Sequence, residues 1–149
     1  MESTPVITFR HADRKDMEAL FAWRNSPESR KYSTNNQIID WETHKNWFRK
    51  VLTSTDHILL IGEIDQQPIG VLRFDINENT AEISIYMVPG LASKGFGTDL
   101  LKKGTNWITK KYPQIKELRA TILTNNKASI RIFEKAGYHP YATSYIHRT

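Results

Sequence analysis

Three strand-like runs separated by short turns constrain the fold of this chain more than any other feature. The segments "HILLIGEI" (57–64), "IGVLRFDI" (69–76) and "AEISIYMV" (81–88) are rich in apolar and β-branched residues, with turn residues between them. This spacing predicts an antiparallel meander of three strands. Pro89 and Gly90 follow the third run, and since proline cannot donate to a central ladder, we expect the meander to end there.

Helix and strand patterns flank the meander on both sides. Before it we predict a strand over 6–10 and helices over 13–25 and 41–52; after it we predict a helix ending near Lys111, a strand over 117–123, a helix over 127–135 and a weaker strand over 138–146. One strand–helix–strand crossover beside a meander predicts an α/β (α+β) fold, in which helices cover both faces of a mixed, mostly antiparallel central sheet. No linker or repeat divides residues 1–149, which we interpret as a single domain.

Composition narrows the function classes. With no cysteine, no secretory leader and no apolar run of membrane-spanning length, we expect a cytoplasmic protein without disulfides or thiolate chemistry. The histidines lack the HxH and HExxH spacings of metal sites, and the GxSxG motif of serine hydrolases does not occur. Neither a metal site nor a serine nucleophile is therefore predicted.

The basic charge predicts an anionic partner. The net charge is +5 and the pI about 9.5, which suits a nucleic acid, a nucleotide-bearing cofactor or an acidic lipid. The lysines are scattered, and no aromatic-basic ribonucleoprotein motif occurs. We therefore expect neither nucleic-acid nor membrane binding, and favour a nucleotide-bearing small molecule.

A glycine-containing loop, "SKGFGTDLL", lies between a predicted strand and a predicted helix. Gly95 and Gly97 permit close approach to the backbone, and Lys94 adds a positive charge. Free N–H groups at a helix start favour an anion such as a phosphate. The loop matches neither the Walker motif nor the dinucleotide fingerprint, and a plain tight turn is the alternative.

A second motif, "NNKASIRIFEKAGY" (125–138), opens the last predicted helix. Asn126 and Ser129 fall in its first turn, where ordinary helix capping is the alternative explanation. Both motifs follow the carboxyl ends of neighbouring strands. Two helix starts at adjacent strand ends form a cleft suited to a long phosphate-bearing ligand.

Together, "VPGLASKGFG" and "NNKASIRIFEKAGY" resemble the acetyl-CoA-dependent N-acetyltransferase superfamily called GNAT, and the order of elements is similar over nearly the whole chain. The family loop usually reads (Gln or Arg)-x-x-Gly-x-(Gly or Ala). Gly95 and Gly97 match it, whereas Ala92 replaces the basic or amide residue and Ser93 stands where glycine is common. The resemblance implies a splayed cleft between the fourth and fifth strands, which holds the pantetheine arm of acetyl-CoA.

The resemblance also implies which residues bind this co-substrate. One backbone N–H near Met87 would polarise the thioester carbonyl, Asn126 would contact the pantetheine arm, and Phe133 would pack beside it. The predicted cofactor-binding residues are Met87, Val88, Ala92, Ser93, Lys94, Gly95, Phe96, Gly97, Thr98, Asn126, Ser129 and Phe133.

Alternation along "AEISIYM" puts Glu82 and Tyr86 on one face of a central strand. Glu82 is the candidate general base, as a glutamate on this strand is in several family members; a solvent-facing strand residue is the alternative. Phe133 stands where many members have a tyrosine that protonates the thiolate. Tyr138 or Tyr86 could replace it, although Tyr138 could equally be a core aromatic residue.

The first half carries a narrower resemblance. The stretch "FAWRNSPESRKYSTNNQIIDWETHKNWF" (21–48) resembles the subgroup that acetylates the 4-amino group of UDP-linked amino-deoxy sugars, and acetyltransferases of ribosomal-protein N-termini have similar first halves. The predicted acceptor-binding residues are Trp23, Arg24, Asn25, His44, Trp47 and Tyr86. The plainer alternatives are an interface aromatic residue, a helix-end salt bridge and a core histidine.

These patterns predict an enzyme that moves the acetyl group of acetyl-CoA to a primary amine, for which a UDP-linked amino sugar is the favoured acceptor. A protein N-terminal acetyltransferase and a non-catalytic acyl-CoA sensor are the alternatives. The short segment after Gly137 also suggests that a second copy completes the sheet, so a homodimer is a further hypothesis.

Overall fold

The computed structural model describes residues 5–31, 37–92 and 94–149. Its sheet has five strands in the order β1-β2-β3-β4-β5. The strands are β1 Thr8–His11, β2 His57–Ile64, β3 Gln67–Asn77, β4 Thr80–Met87 and β5 Glu117–Arg119. The helices are α1 Met17–Arg24, which follows a 3₁₀ turn at Arg14–Asp16, then α2 Pro27–Lys31, α3 Trp41–Thr53, α4 Gly97–Lys111 and α5 Lys127–Lys135.

The predicted meander is confirmed, since β2, β3 and β4 pair as antiparallel neighbours. β1 extends the antiparallel part by pairing with β2. β5 joins β4 in parallel over three residues, because α4 carries the chain back across the sheet between them. The mixed, mostly antiparallel sheet is therefore as the sequence predicts.

Helices pack on both faces, so the fold has two apolar layers. The layer that includes α4 and α5 contains, among others, Leu60, Leu72, Phe74, Ile83, Leu100, Leu101, Ile108 and Phe133. The layer beneath α1 and α3 contains Ala12, Leu20, Phe48, Val51, Leu59, Ile61 and Val71. Alternate residues of the central strands supply the two layers, which explains why β2 and β3 are nearly continuous apolar runs. None of the helices among the described residues combines the length and apolarity needed to cross a membrane.

Two predicted strands after α4 differ from the structure. The proposed strand over 138–146 does not form: residues 138–149 contain no helix or strand, and those after Tyr138 are exposed. The proposed strand over 117–123 ends at Arg119. The proposed helix over 13–25 is confirmed: Asp13 is the N-cap of the 3₁₀ turn, α1 ends at Arg24, and Asn25 is its C-cap. α2 then begins at Pro27, where the missing N–H of proline costs no helical hydrogen bond.

Gly104 allows α4 to lie directly against β3. A Cβ at this position would overlap the Cδ1 atom of Leu72, which is fully buried. We expect Gly104→Ala to lower the free energy of unfolding by about 1–3 kcal/mol through overpacking, despite the higher helix propensity of alanine. Urea denaturation measures this change, and the control is Asn106→Ala at an exposed position of α4. A Gly104→Ala protein as stable as the wild type would contradict this packing.

Candidate active site

The cleft begins where β4 and β5 separate. The parallel pairing runs from Thr80–Glu117 to Glu82–Arg119, whereas β4 continues to Met87 and residues 120–123 form no strand. The backbone edge of β4 beyond Glu82 therefore lacks a β5 partner. This gap is the splayed cleft that the sequence predicts, and Glu82 lies at its inner end.

Only one of the two predicted backbone groups at the end of β4 is available to the cleft. The N–H of Val88 donates to the carbonyl of Ile69 at 2.9 Å, on the β3 side. Because N–H groups alternate sides along a strand, the N–H of Met87 points towards the side where β5 has separated. Met87 is thus positioned to donate to a ligand in the cleft, and Val88 is not.

The glycine loop leads into a helix start without a side-chain cap. Gly95 has φ of +84°, a conformation that favours glycine. Gly97 serves packing instead, since a Cβ there would lie 2.8 Å from Ile132 Cδ1. Phe96 at the N-cap supplies no side-chain hydrogen bond, so the first N–H groups of α4 lack the acceptor that an N-cap side chain provides. The arrangement fits a bound anion.

The other predicted loop residues differ in exposure. Ala92 and Lys94 are exposed, whereas Phe96 and Thr98 are half-buried. Ser93 lies outside the described residues.

The start of α5 is capped by its own side chain. The Oδ1 atom of Asn126 accepts a hydrogen bond from the N–H of Ser129 at 3.1 Å. Phe133, on the buried side of α5, is 5% exposed and lies in the core. The capping alternative therefore accounts for Asn126 and Ser129, and their contact with a cofactor stays a prediction.

The candidate base lies on the sheet face beneath α1 and α3. Ala81 and Ile83 belong to the opposite apolar layer, whereas Tyr86 packs against the layer of α1 and α3, so Glu82 shares the face of Tyr86. Glu82 is exposed and makes no ion pair with another described residue. Arg119, opposite it on β5, is paired with Glu117 at 2.6 Å. The Glu82 carboxylate is therefore available to an incoming amine.

Two arginines lie close to an indole and a tyrosine on this face. The guanidinium of Arg73 lies 5.5 Å from the ring centroid of Trp47. Arg24 is half-buried, and burial, reinforced by the charge of Arg73, lowers its pKa. Burial also raises the pKa of Tyr86, against the nearby charges of Arg24 and Arg73. Trp23 is half-buried against the same layer.

Among the described residues, no hydrogen bond or ion pair engages the side chain of Arg24. Arg73, in contrast, is paired with Asp75 at 2.7 Å. A half-buried guanidinium without a counter-ion, next to a second one, favours an anionic ligand. We call Arg24, Arg73, Trp47 and Tyr86 the cationic cluster.

Two residues predicted to contact the acceptor have structural roles. His44 is 2% exposed, and its Nε2–H donates to the carbonyl of Met17 at 2.9 Å. Burial lowers its pKa. The side-chain amide of Asn25 pairs with the backbone of Ile39 through two hydrogen bonds of 2.9 and 2.8 Å. His44 thus joins α3 to the start of α1, and Asn25 joins the end of α1 to the segment just before α3.

Tyr138 lies on the other side of the sheet from the candidate base Glu82. Its hydroxyl hydrogen-bonds with Thr105 of α4 at 2.7 Å, and its ring packs edge-on against Phe133. Burial raises its pKa. Because Tyr138 packs into the layer of α4 and α5, it lies across the sheet from Glu82. Tyr86, in contrast, shares the sheet face of Glu82.

Comparison with known families agrees with this geometry. Residues 7–139 match the family described as acetyltransferase (GNAT) domain. The match covers most of the chain, and the protein therefore belongs to the GNAT acetyltransferase family. Its predicted fold and its enzyme class are thereby confirmed.

Individual relatives are distant. Acetyltransferase PseH of Campylobacter jejuni is 23% identical over 134 residues, which are 89% of this chain and 83% of that protein. Aminoglycoside acetyltransferase AAC(6')-Ib, solved with coenzyme A, superposes with a TM-score of 0.81 at 18% identity, over 93% of this chain and 87% of the other. Spermidine N-acetyltransferase of Vibrio cholerae, solved with CoA and spermine, has a TM-score of 0.79 at 18% identity, over 88% and 79% of the two chains. These two structural likenesses establish the fold.

Proposed function

We propose that this enzyme transfers the acetyl group of acetyl-CoA to the 4-amino group of a UDP-linked amino-deoxy sugar. The observation that carries the acceptor assignment is the cationic cluster, in which the half-buried Arg24 makes no ion pair with another described residue and lies near the charge of Arg73. A diphosphate offers the oxygens that two guanidinium groups bind best. The half-exposed rings of Trp23 and Trp47 offer stacking surfaces for a uracil or a sugar ring.

In the proposed chemistry, acetyl-CoA occupies the cleft at the edge of β4, and the acceptor amine approaches from the sheet face that carries Glu82. Acetyl-CoA supplies the thioester, held by the glycine loop and the cleft. Glu82 accepts the proton of the attacking amine, directly or through water. The Met87 N–H donates to the carbonyl oxygen as negative charge develops there. Tyr86, on the same face of β4 as Glu82, is the proposed donor to the departing thiolate.

Release of free CoA thiol tests this function directly. The protein contains no cysteine, so a thiol reagent detects only CoA. We would offer acetyl-CoA with a UDP-4-amino-dideoxy sugar, an N-terminal ribosomal peptide, spermidine or no acceptor. Thiol release that requires the sugar is the expected result.

Other outcomes would redirect the assignment. Release with the peptide alone would contradict the acceptor and favour a protein N-terminal acetyltransferase. Thermal stabilisation by acetyl-CoA without release on any acceptor would favour an acyl-CoA sensor.

Gly95 provides a test of the cofactor loop. Alanine is strained at φ of +84°, so Gly95→Ala is expected to distort the loop and raise the Kd of acetyl-CoA about tenfold. Gly137→Ala is the matched control, because Gly137 has φ of +96° and open space at its Cβ position, away from the loop. Calorimetric titration compares both with the wild type. Equal losses of affinity in the two variants would contradict a specific role for the loop.

We also propose that the enzyme forms a homodimer. β5 is an edge strand, and the segment after α5 exposes 79% of Tyr141 and 94% of Tyr145. Within one chain this segment already reaches β5, since the Arg119 guanidinium lies 5.5 Å from the Tyr141 ring centroid. The edge of β5 and the exposed tyrosines can extend this contact to a second copy. Sedimentation that shows only monomer at assay concentration would contradict this.

A further inference from the structure

A chain of hydrogen bonds links Arg73 of the cationic cluster to Asp75, also on β3, and then to His57 on β2. Asp75 accepts from the Arg73 guanidinium at 2.7 Å through Oδ2, with longer contacts to Arg73 Nε of 3.1 and 3.2 Å. The Nδ1–H of His57 donates to Asp75 Oδ1 at 2.6 Å. His57 and Asp75 are direct partners in the register of β2 and β3, so both side chains lie on the same face of the sheet as the cationic cluster.

These contacts fix the Arg73 guanidinium through one of its edges. Asp75 grips its Nε and one terminal nitrogen, and the Trp47 ring lies 5.5 Å from its central carbon. The Arg73 side chain is 29% exposed. A long, partly exposed arginine would otherwise sample many rotamers, and ordering it on ligand binding would reduce affinity.

The ionisation of Asp75 agrees with such a role. Partial burial opposes its charge, but hydrogen bonds from Arg73 and His57 outweigh that effect and lower its pKa. Asp75 therefore stays ionised and keeps both hydrogen-bonded partners at neutral pH.

We propose that Asp75, held by His57, is a positioning residue that fixes Arg73 for the diphosphate of the acceptor. The inference rests on the proposed nucleotide-sugar acceptor and deepens it. It also makes a counter-intuitive prediction. Asp75 is an anion beside an anion site, so by charge alone its removal would strengthen diphosphate binding. If its role is to position Arg73, its removal weakens binding instead.

Calorimetry with UDP and uridine separates these cases, because the two ligands differ only in the diphosphate. We would measure the ratio of the uridine Kd to the UDP Kd for the wild type and for Asp75→Asn, His57→Gln and Glu63→Gln. Glu63 is the control because it also pairs with an arginine, Arg10 at 3.0 Å, but at the other end of β2. The ratio is expected to fall about fivefold in Asp75→Asn, less in His57→Gln, and not at all in Glu63→Gln.

The outcomes distinguish the inference from the function beneath it. A wild type that binds UDP no better than uridine would overturn the proposed acceptor and this inference with it. A clear UDP preference that is unchanged or increased in Asp75→Asn would overturn the positioning role alone. If Asp75→Asn fails to fold, His57→Gln decides, since it removes one hydrogen bond of Asp75 and leaves the carboxylate in place.

Discussion

Glu82→Gln is expected to lower kcat for acetyl transfer by about 10²- to 10⁴-fold, which is the usual contribution of a general base. Glutamine has the same shape but cannot accept a proton from the attacking amine. Glu82 is exposed at the inner end of the cleft, and the neighbouring Arg119 is paired with Glu117. The substitution therefore breaks no ion pair among the described residues. Initial rates with saturating acetyl-CoA and acceptor measure the change.

Binding and stability measurements show whether the loss is chemical. The Kd of acetyl-CoA and the unfolding temperature should match the wild type, because Glu82 contacts neither the glycine loop nor the core. Glu134→Gln, which removes an exposed carboxylate from α5, should retain full activity. A Glu82→Gln enzyme within threefold of the wild-type rate would exclude Glu82 as the base and leave the reaction to a pre-deprotonated amine.

Local signals in the sequence predicted the sheet well because its strands lie next to each other in the chain. β2, β3 and β4 pair through short turns, so alternation and turn residues suffice to place them. The segment over 138–146 has a similar strand-like composition, but it forms no strand pairing with any described residue. Its conformation depends on a partner strand, which composition does not reveal.

The candidate site was predicted only in part, for a related reason. Strand alternation correctly put Glu82 and Tyr86 on one face. No local pattern showed that His44 is buried or that the Asn25 side chain hydrogen-bonds to the backbone of Ile39. Arg73 was missed. Its signal was present, since Arg73 and Asp75 are the two charged residues in the otherwise apolar run "IGVLRFDI", and a charged residue in such a strand requires a partner or a function.

Arg24→Ala is expected to reduce kcat/KM for the nucleotide sugar about 10- to 100-fold, mainly through KM. This range corresponds to the loss of charge-assisted hydrogen bonds to a phosphate oxygen. Arg24→Lys should recover only part of the loss, since an ammonium group cannot form the two parallel bonds of a guanidinium. Steady-state kinetics with varied acceptor, at fixed saturating acetyl-CoA, give the values.

Stability is what separates a binding role of Arg24 from a structural one. Its side chain makes no hydrogen bond or ion pair within the described ranges, and its burial, together with the nearby charge of Arg73, lowers its pKa. Removing it relieves repulsion, so Arg24→Ala should unfold at the same temperature as the wild type or higher, as for other residues kept for function at a cost in stability. A lower unfolding temperature, with equal losses of activity on sugar and peptide acceptors, would instead make Arg24 part of the scaffold. The cationic cluster would then no longer support the assignment of a nucleotide-linked acceptor.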